Sequence, residues 1–262
     1  MALTGKSPAG TYKDLLTLEN SNTGVDSTLR SIRTGNGSNS SASISDRALK
    51  IQSATDNTTA LDIQNSSGTS KLVVDTTNGQ VKALGKHINT QYAYFNIGPG
   101  ISINWAADTH HPLPFMGANN SATLSDNLTF GTSGEPATTF TTADAVSTDA
   151  SLLVPVMWYV PDSISIDNVY SLEGLESAST LTTRMHLYSY TFASGSTSAL
   201  TSGTLLAHNN DVTNAGSEQA YLSTWTVDSR NVAANKVILA FFRSDSVNSD
   251  YGVNITVKYD LT

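Results

Sequence analysis

The residues that could do chemistry are few and scattered. The five histidines are His87, His110, His111, His186 and His208, and there is no cysteine. Only Asp108-Thr109-His110-His111 places potential metal ligands side by side. A tetrahedral metal site needs three or four donors, usually in spaced pairs, so this stretch reads as a polar loop beside Pro112 and no metal is expected. Gly35-Asn36-Gly37 lacks the Lys-Ser/Thr of a phosphate-binding loop and reads as a turn or linker. Asp75-Thr76-Thr77-Asn78-Gly79 lacks the further carboxylates and closing Glu of a calcium loop, and reads as a hairpin turn. No Gly-x-Ser-x-Gly elbow is present. No catalytic residue, metal or cofactor is therefore expected, and the chain does not read as an enzyme. Tyr159, Tyr188, Tyr190, Tyr221 and Trp225 would stack on sugar rings if exposed, although aromatic residues in β-sheets more often fill cores. Tyr188 and Tyr190 share a strand face and are the candidate ligand-contact pair.

The elements that would carry such residues fall into two textures. From Ala48 to Gly85, short period-two apolar runs alternate with Ser, Thr, Asn, Asp and Gly. The runs are Leu49/Ile51, Leu61/Ile63 and Leu72/Val74, with a weaker one at Val81/Ala83, and together they form a loose strand-plus-turn repeat. Each strand offers one narrow apolar edge with no aromatic ring to broaden it. Such a stripe needs a partner, and the economical one is another copy of itself round a symmetry axis. Leu49, Ile51, Leu61, Ile63, Leu72 and Val74 are accordingly expected to line the core of a trimeric β shaft.

The opening of the chain resembles a known family. Thr4-Gly5-Lys6-Ser7-Pro8, Thr11-Tyr12-Lys13-Asp14-Leu15-Leu16 and Asn20-Ser21-Asn22-Thr23-Gly24-Val25-Asp26-Ser27-Thr28 look like the start of virion appendage proteins of tailed bacteriophages, marine phages in particular. Ser70-Lys71-Leu72-Val73-Val74-Asp75-Thr76-Thr77-Asn78-Gly79-Gln80-Val81 is similar to the strand–turn–strand units of phage fibre shafts. The likeness is close over about the first third of the chain and general beyond it. It implies a homotrimeric structural protein of the virion, assembled in the host cytoplasm beside other tail or capsid proteins. It also makes 1–28 the segment that docks on the particle, through the cluster Tyr12, Leu15, Leu16 and Leu18.

From Tyr92 the apolar runs lengthen and aromatics become frequent, in YAYFNI (92–97), ISINW (101–105), SLLVPVMWYV (151–160), SISIDNVY (163–170), TRMHLYSYTF (183–192), AYLSTWTV (220–227), KVILAFFR (236–243) and NITVKYDL (254–261). Strands in that number with polar loops between them point to a two-sheet, jelly-roll-like sandwich. KVILAFFR is apolar on both faces and should be central. Pro155 implies a bulge or an edge. The expected organisation is all-β: a docking segment at 1–28, a linker (29–47) and repeat shaft within 29–86, and a sandwich knob over 87–262.

Charge is unevenly placed. Residues 1–89 hold nine Lys and Arg against seven acidic residues, and 90–262 hold five against fifteen. That balance argues against nucleic-acid binding through a basic patch. No apolar leader is visible at Met1-Ala2-Leu3-Thr4, and the longest apolar run, 152–160, is too short for a membrane span, so membrane insertion is not expected. The functional expectation is a tail-fibre or tail-associated appendage whose knob meets a host-surface glycan or protein. The alternatives are a capsid decoration or head-fibre protein and, from another class, a carbohydrate-binding module.

Overall fold

The computed structural model describes residues 16–19, 24–97, 106–116, 129–132, 134–139, 153–176, 180–195, 200–246 and 250–262. The expected strand 101–105 lies outside them. The described chain is almost entirely antiparallel β-structure, as the composition predicts. It divides into two compact units, Met1–Ile88 and Asn89–Thr262.

The first unit contains two four-stranded meanders. Strands β1 (Leu16–Leu18), β2 (Arg30–Thr34), β3 (Asn39–Ile44) and β4 (Leu49–Ile51) pair in chain order. So do β5 (Leu61–Gln64), β6 (Ser70–Asp75), β7 (Gln80–Ala83) and β8 (Lys86–His87). This corrects the linker expected over 29–47. β2 and β3 form a hairpin closed at Gly37, whose φ of 87° suits a residue without a Cβ and whose N–H donates to the Thr34 carbonyl at 2.8 Å. Ion pairs from Arg30 to Asp26 and from Arg33 to Glu19 tie the hairpin to the preceding chain. Polarity misled here, because a thin sheet wet on one face carries serines as readily as a linker does. The four-run repeat is also split: Leu49 and Ile51 pair with β3, while the other three runs share the second meander. The Asp75–Gly79 stretch is the β6–β7 hairpin turn, with the Asp75 carboxylate accepting from Asn78 N (3.0 Å) and Nδ2 (2.8 Å).

The second unit is a two-sheet sandwich. Its strands are β9 (Thr90–Ile97), β10 (His111–Pro112), β11 (Trp158–Val160), β12 (Ile164–Glu176), β13 (Thr182–Phe192), β14 (Leu200–His208), β15 (Val212–Thr213), β16 (Gln219–Thr224), β17 (Thr226–Val227), β18 (Asn231–Val232), β19 (Lys236–Ser244) and β20 (Asp250–Leu261). One sheet runs β16-β12-β20-β9, with β18 also on β12; the other runs β10-β19-β13-β14-β17, with β11 on β19 and β15 on β13. The chain crosses repeatedly from sheet to sheet, with β13 and β14 as a hairpin within one of them, in a jelly-roll-like sandwich.

Both sides of the sandwich are closed by segments that cross from sheet to sheet. Leu113 N donates to Ala240 O on β19, and three residues later Met116 N donates to Tyr94 O on β9. On the other side β16 ends and β17 begins around Trp225, whose N–H donates to Val169 O and whose Nε1 donates to Ser171 Oγ at 2.9 Å. A rim of this kind leaves few unpaired strand edges.

β19 is central, as its sequence predicts. Ile238, Ala240 and Phe242 face the inner core with Met185, Leu187, Ile166 and Ile255. Val237, Leu239 and Phe241 face the opposite way, into a second core with Tyr188, Tyr190, Phe130, Leu153 and Val156. The roof over this outer face comes from the described parts of 130–139 and from a 3-10 turn at Val154–Val156. Pro155 sits in the first turn of that 3-10 segment, which corrects the bulge or edge expected of it. Its ring presets the helical φ, and its missing N–H costs nothing where no intrahelical bond would form. β14, polar in sequence, had no apolar run to announce it.

The roof comes closest at Gly203 on β14, whose N–H donates to Thr138 O at 2.8 Å. A Cβ there would lie 2.6 Å from the Tyr190 ring and 2.9 Å from Thr138 O. Because Tyr190 is fully buried, its ring has nowhere to move. Gly203→Ala is expected to lower stability by about 1–3 kcal/mol, measured by denaturant unfolding.

Candidate functional site

The second meander presents one partly exposed apolar face. Register places Leu61, Val74 and Val81 in one cross-strand row and Ile63, Leu72 and Ala83 in the next. Because side chains alternate along each strand, these six share one face, and Asp62, Val73 and Lys82 take the other. Ile63 is 50% exposed, and in the first meander Leu49 is 66% exposed. Leu61, Leu72 and Val74 are only half-buried. Ile51, Leu61 and Val74 line one groove of about 290 Å³ where the two meanders approach. Five of the shaft-core residues read from the sequence thus cluster on or beside an open face, and Leu49 neighbours Ile51 on β4. At the edge of this unit, Leu16 is exposed and Leu18 half-buried on β1, while Tyr12 and Leu15 lie outside the described residues.

In the sandwich, the ligand-contact pair is corrected. Tyr188 and Tyr190 do stack side by side, with ring centroids 6.0 Å apart, but both rings are buried beneath the roof. Tyr188 Oη donates to Glu135 Oε2 and Tyr190 Oη to Ala137 O, each at 2.8 Å. Burial, with the Glu135 contact at Tyr188, pushes both phenols above their usual range. The sequence placed them correctly on one face of β13; what it did not carry was the third layer over that face. Trp225 is buried and Tyr221 half-buried. Of the five aromatics singled out, Tyr159 alone is well exposed, at 52%. Its Oη donates to Asn235 Oδ1 at 2.6 Å.

The Asp108–His111 cluster does not converge. Asp108 pairs with Arg243 at 2.6 Å, and His111 Nε2 accepts from Ala106 N at 3.3 Å. His110 turns into the outer layer, donates from Nδ1 to Gly131 O at 3.2 Å, and packs edge-on against His186 with ring centroids 5.1 Å apart. His110 Nε2 and His186 Nδ1 are buried without hydrogen-bond partners. No group of three or more potential metal ligands occurs among the described residues. His208 Nδ1 meets Asp228 Oδ2 at 2.7 Å, but no hydroxyl among the described residues bonds its other ring nitrogen, so no nucleophilic triad is assembled. No protein-family model matches the chain, and no curated protein matches it.

Sequence reasoning missed Glu173. It lies on β12 facing inward, fully buried, and bridges the sheets by accepting from Thr183 Oγ1 on β13 at 3.0 Å; Ser223 Oγ donates to its other oxygen at 3.4 Å. Desolvation raises its pKa against the opposing pull of the Thr183, Ser223 and Ser171 hydroxyls. An inward position flanked by Ser171 and Leu175 at period two was the only available signal.

These buried groups make opposite contributions to pH dependence. Burial lowers the His110 and His186 pKa values to about 4 and about 3, assisted at His110 by Arg243, His111 and Arg184 and at His186 by His110, Arg184, His208 and Arg243. The unfolded chain therefore binds more protons below pH ~6.5, and stability is full above that value and falls as pH drops toward 4. Each imidazole removes up to about 1.4 kcal/mol per pH unit across its window. Melting temperatures should fall in this range, ahead of carboxylate titration, and His186→Gln should flatten the decline. Glu173 has the reverse sign: its raised pKa stabilises the fold below the ordinary carboxylate range and is lost as pH rises through the folded value. Glu173→Gln should match or exceed the wild-type melting temperature at pH 7–8, with any advantage closing as the pH is lowered.

Proposed function

We propose that the protein is a structural subunit of a bacteriophage virion, a homotrimeric tail-fibre or tail-associated appendage assembled in the host cytoplasm. The N-terminal segment docks on the particle and the sandwich unit meets the host surface. One observation carries this reading: an N-terminal unit of narrow sheets whose apolar face is left partly exposed by the described residues, joined to a sandwich that has two cores of its own. A one-sided sheet gains from burial only when something covers it, at about 25 cal/mol per Å² of apolar surface. Three copies facing one axis would cover each other and exclude water from all six strand-face positions at once. The phage-like opening of the chain and the fibre-like β6–β7 unit support the virion as the setting. Labelling intact particles with an antibody to the sandwich unit distinguishes tail from head; gold at the capsid would assign the same subunit to a decoration or head-fibre role.

The stem is tested by charge. Ile63→Asp would bring three carboxylates together on the axis, each desolvated and each repelling the others, so the trimer should dissociate. Since Ile63 is half-exposed in the single chain, the substitution should leave the fold of a separated subunit largely intact. Lys71→Asp, exposed on the adjacent position of β6, should leave the assembly unchanged. Light-scattering masses of the wild type and both variants decide the matter: a monomeric wild type overturns the trimer, and a trimer that survives Ile63→Asp removes these residues from its core.

A further inference from the structure

The described parts of the roof over the outer face of the β13–β19 pair leave one end of that face accessible. There the cross-strand row Tyr159–Val237–Tyr190 runs from β11 through β19 to β13. Tyr190 lies under the roof and Tyr159 lies outside it. Beyond them Phe192, two residues along β13 from Tyr190, is also partly exposed. Val154 and Met157 from the 3-10 turn form one wall, and Ser194 and Asn235 form the polar rim. The resulting groove has a volume of about 540 Å³.

We infer that this groove binds a neutral saccharide. Three features of the lining select that ligand class. First, two accessible aromatic rings flank an apolar floor at Val237, the arrangement that accepts the flat C–H face of a pyranose ring. Second, the rim retains hydrogen-bonding capacity of the kind hydroxyl groups use. The Asn235 amide accepts from Tyr159 through Oδ1, and among the described residues no partner is recorded for its Nδ2 or for the Ser194 hydroxyl on the rim. A wholly apolar ligand would desolvate these groups and leave them unpaired. Third, none of the described lining residues is a carboxylate or a cation, and Lys236, next to Val237 on β19, takes the opposite face of the strand. The described lining therefore offers a charged ligand no counter-charge.

The ring is also held in place before any ligand arrives. Tyr159 is paired to Val237 through the β11–β19 ladder, and its phenol is tethered to Asn235. Asn235 is itself fixed in a tight turn, with φ of 64° and its N–H donating to Val160 O at 2.7 Å. Little side-chain freedom remains to be lost on binding. This deepens the proposed function, since it names the ligand class that the host-contacting unit would take. Binding at the groove itself does not depend on the trimer.

The test uses the full-length protein on a printed array of neutral hexose and N-acetylhexosamine di- to tetrasaccharides, followed by saturation-transfer NMR with the strongest hit. Tyr159→Ala should weaken binding by roughly tenfold or more. Tyr159→Phe keeps the ring and should bind within a few-fold of wild type. Asn235→Gly keeps the left-handed backbone but removes the amide, and should weaken binding several-fold. Tyr92→Ala, an exposed tyrosine on the other sheet, should have no effect. Absence of binding to every arrayed sugar overturns the inference, as does binding that survives Tyr159→Ala or a groove that takes up only apolar peptides. Light scattering on the same samples separates the two proposals: a monomer with Tyr159-dependent binding keeps the groove and loses the trimer, and a trimer without binding does the reverse.

Discussion

The sandwich depends on one constraint: β19 is apolar on both faces, so both faces must be covered. The opposing sheet covers Ile238, Ala240 and Phe242, as in any two-layer β fold. Val237, Leu239 and Phe241 need a further layer, and the roof at 130–139 and 153–157 supplies it. Much else follows from that layer. It buries Tyr188 and Tyr190, encloses His110 against His186, and brings Thr138 within bonding distance of Gly203, where any larger residue would collide with it. Where the roof ends, the same apolar face emerges as the Tyr159 groove.

The N-terminal unit shows the opposite arrangement. Its second meander has one apolar face, which the described residues leave partly exposed. Six small aliphatic side chains on such a face, with no ring among them, bury little apolar surface by themselves. The sandwich unit covers both faces of its central strand, whereas in the N-terminal unit Leu61, Leu72 and Val74 are only half-buried and Ile63 is half-exposed; that contrast is the basis of the proposal that the N-terminal unit packs against identical copies. The acidic balance of 90–262 gives the sandwich a repulsive exterior, which favours solubility over self-association of that unit.

The closed rim adds a further restraint. Leu113–Met116 and Trp225 each carry the chain from one sheet to the other. The first is secured by aromatic packing as well as by backbone bonds, since Phe115 stacks on Trp158 at 5.6 Å and tilts against Phe95 at 5.2 Å, and Trp158 contacts Tyr259 at 4.9 Å; the second is held by the Trp225 Nε1 bond to Ser171. Buried polar links across the sandwich, Glu173 to Thr183 and Tyr251 to Ser244, fix the register of facing strands at positions where apolar packing alone would tolerate sliding.

Local pattern determined a good deal of this. Period-two alternation located β13, apolar runs rich in aromatics located β9 and β20, the two-sided run of β19 placed it centrally, and turn chemistry at Asp75–Gly79 identified a hairpin. Those features are legible because they depend on neighbours within a few residues. Tertiary structure alone decided which surfaces stayed open. A tyrosine on a strand has the same local signature whether a roof lies over it, as at Tyr190, or stops one strand earlier, as at Tyr159. The hairpin of β2 and β3 was hidden because its serines satisfy a wet sheet face as well as they would a linker. Glu173 was hidden because a buried carboxylate is tolerated only through hydroxyls contributed by other strands, and no run of sequence reveals which strands those will be.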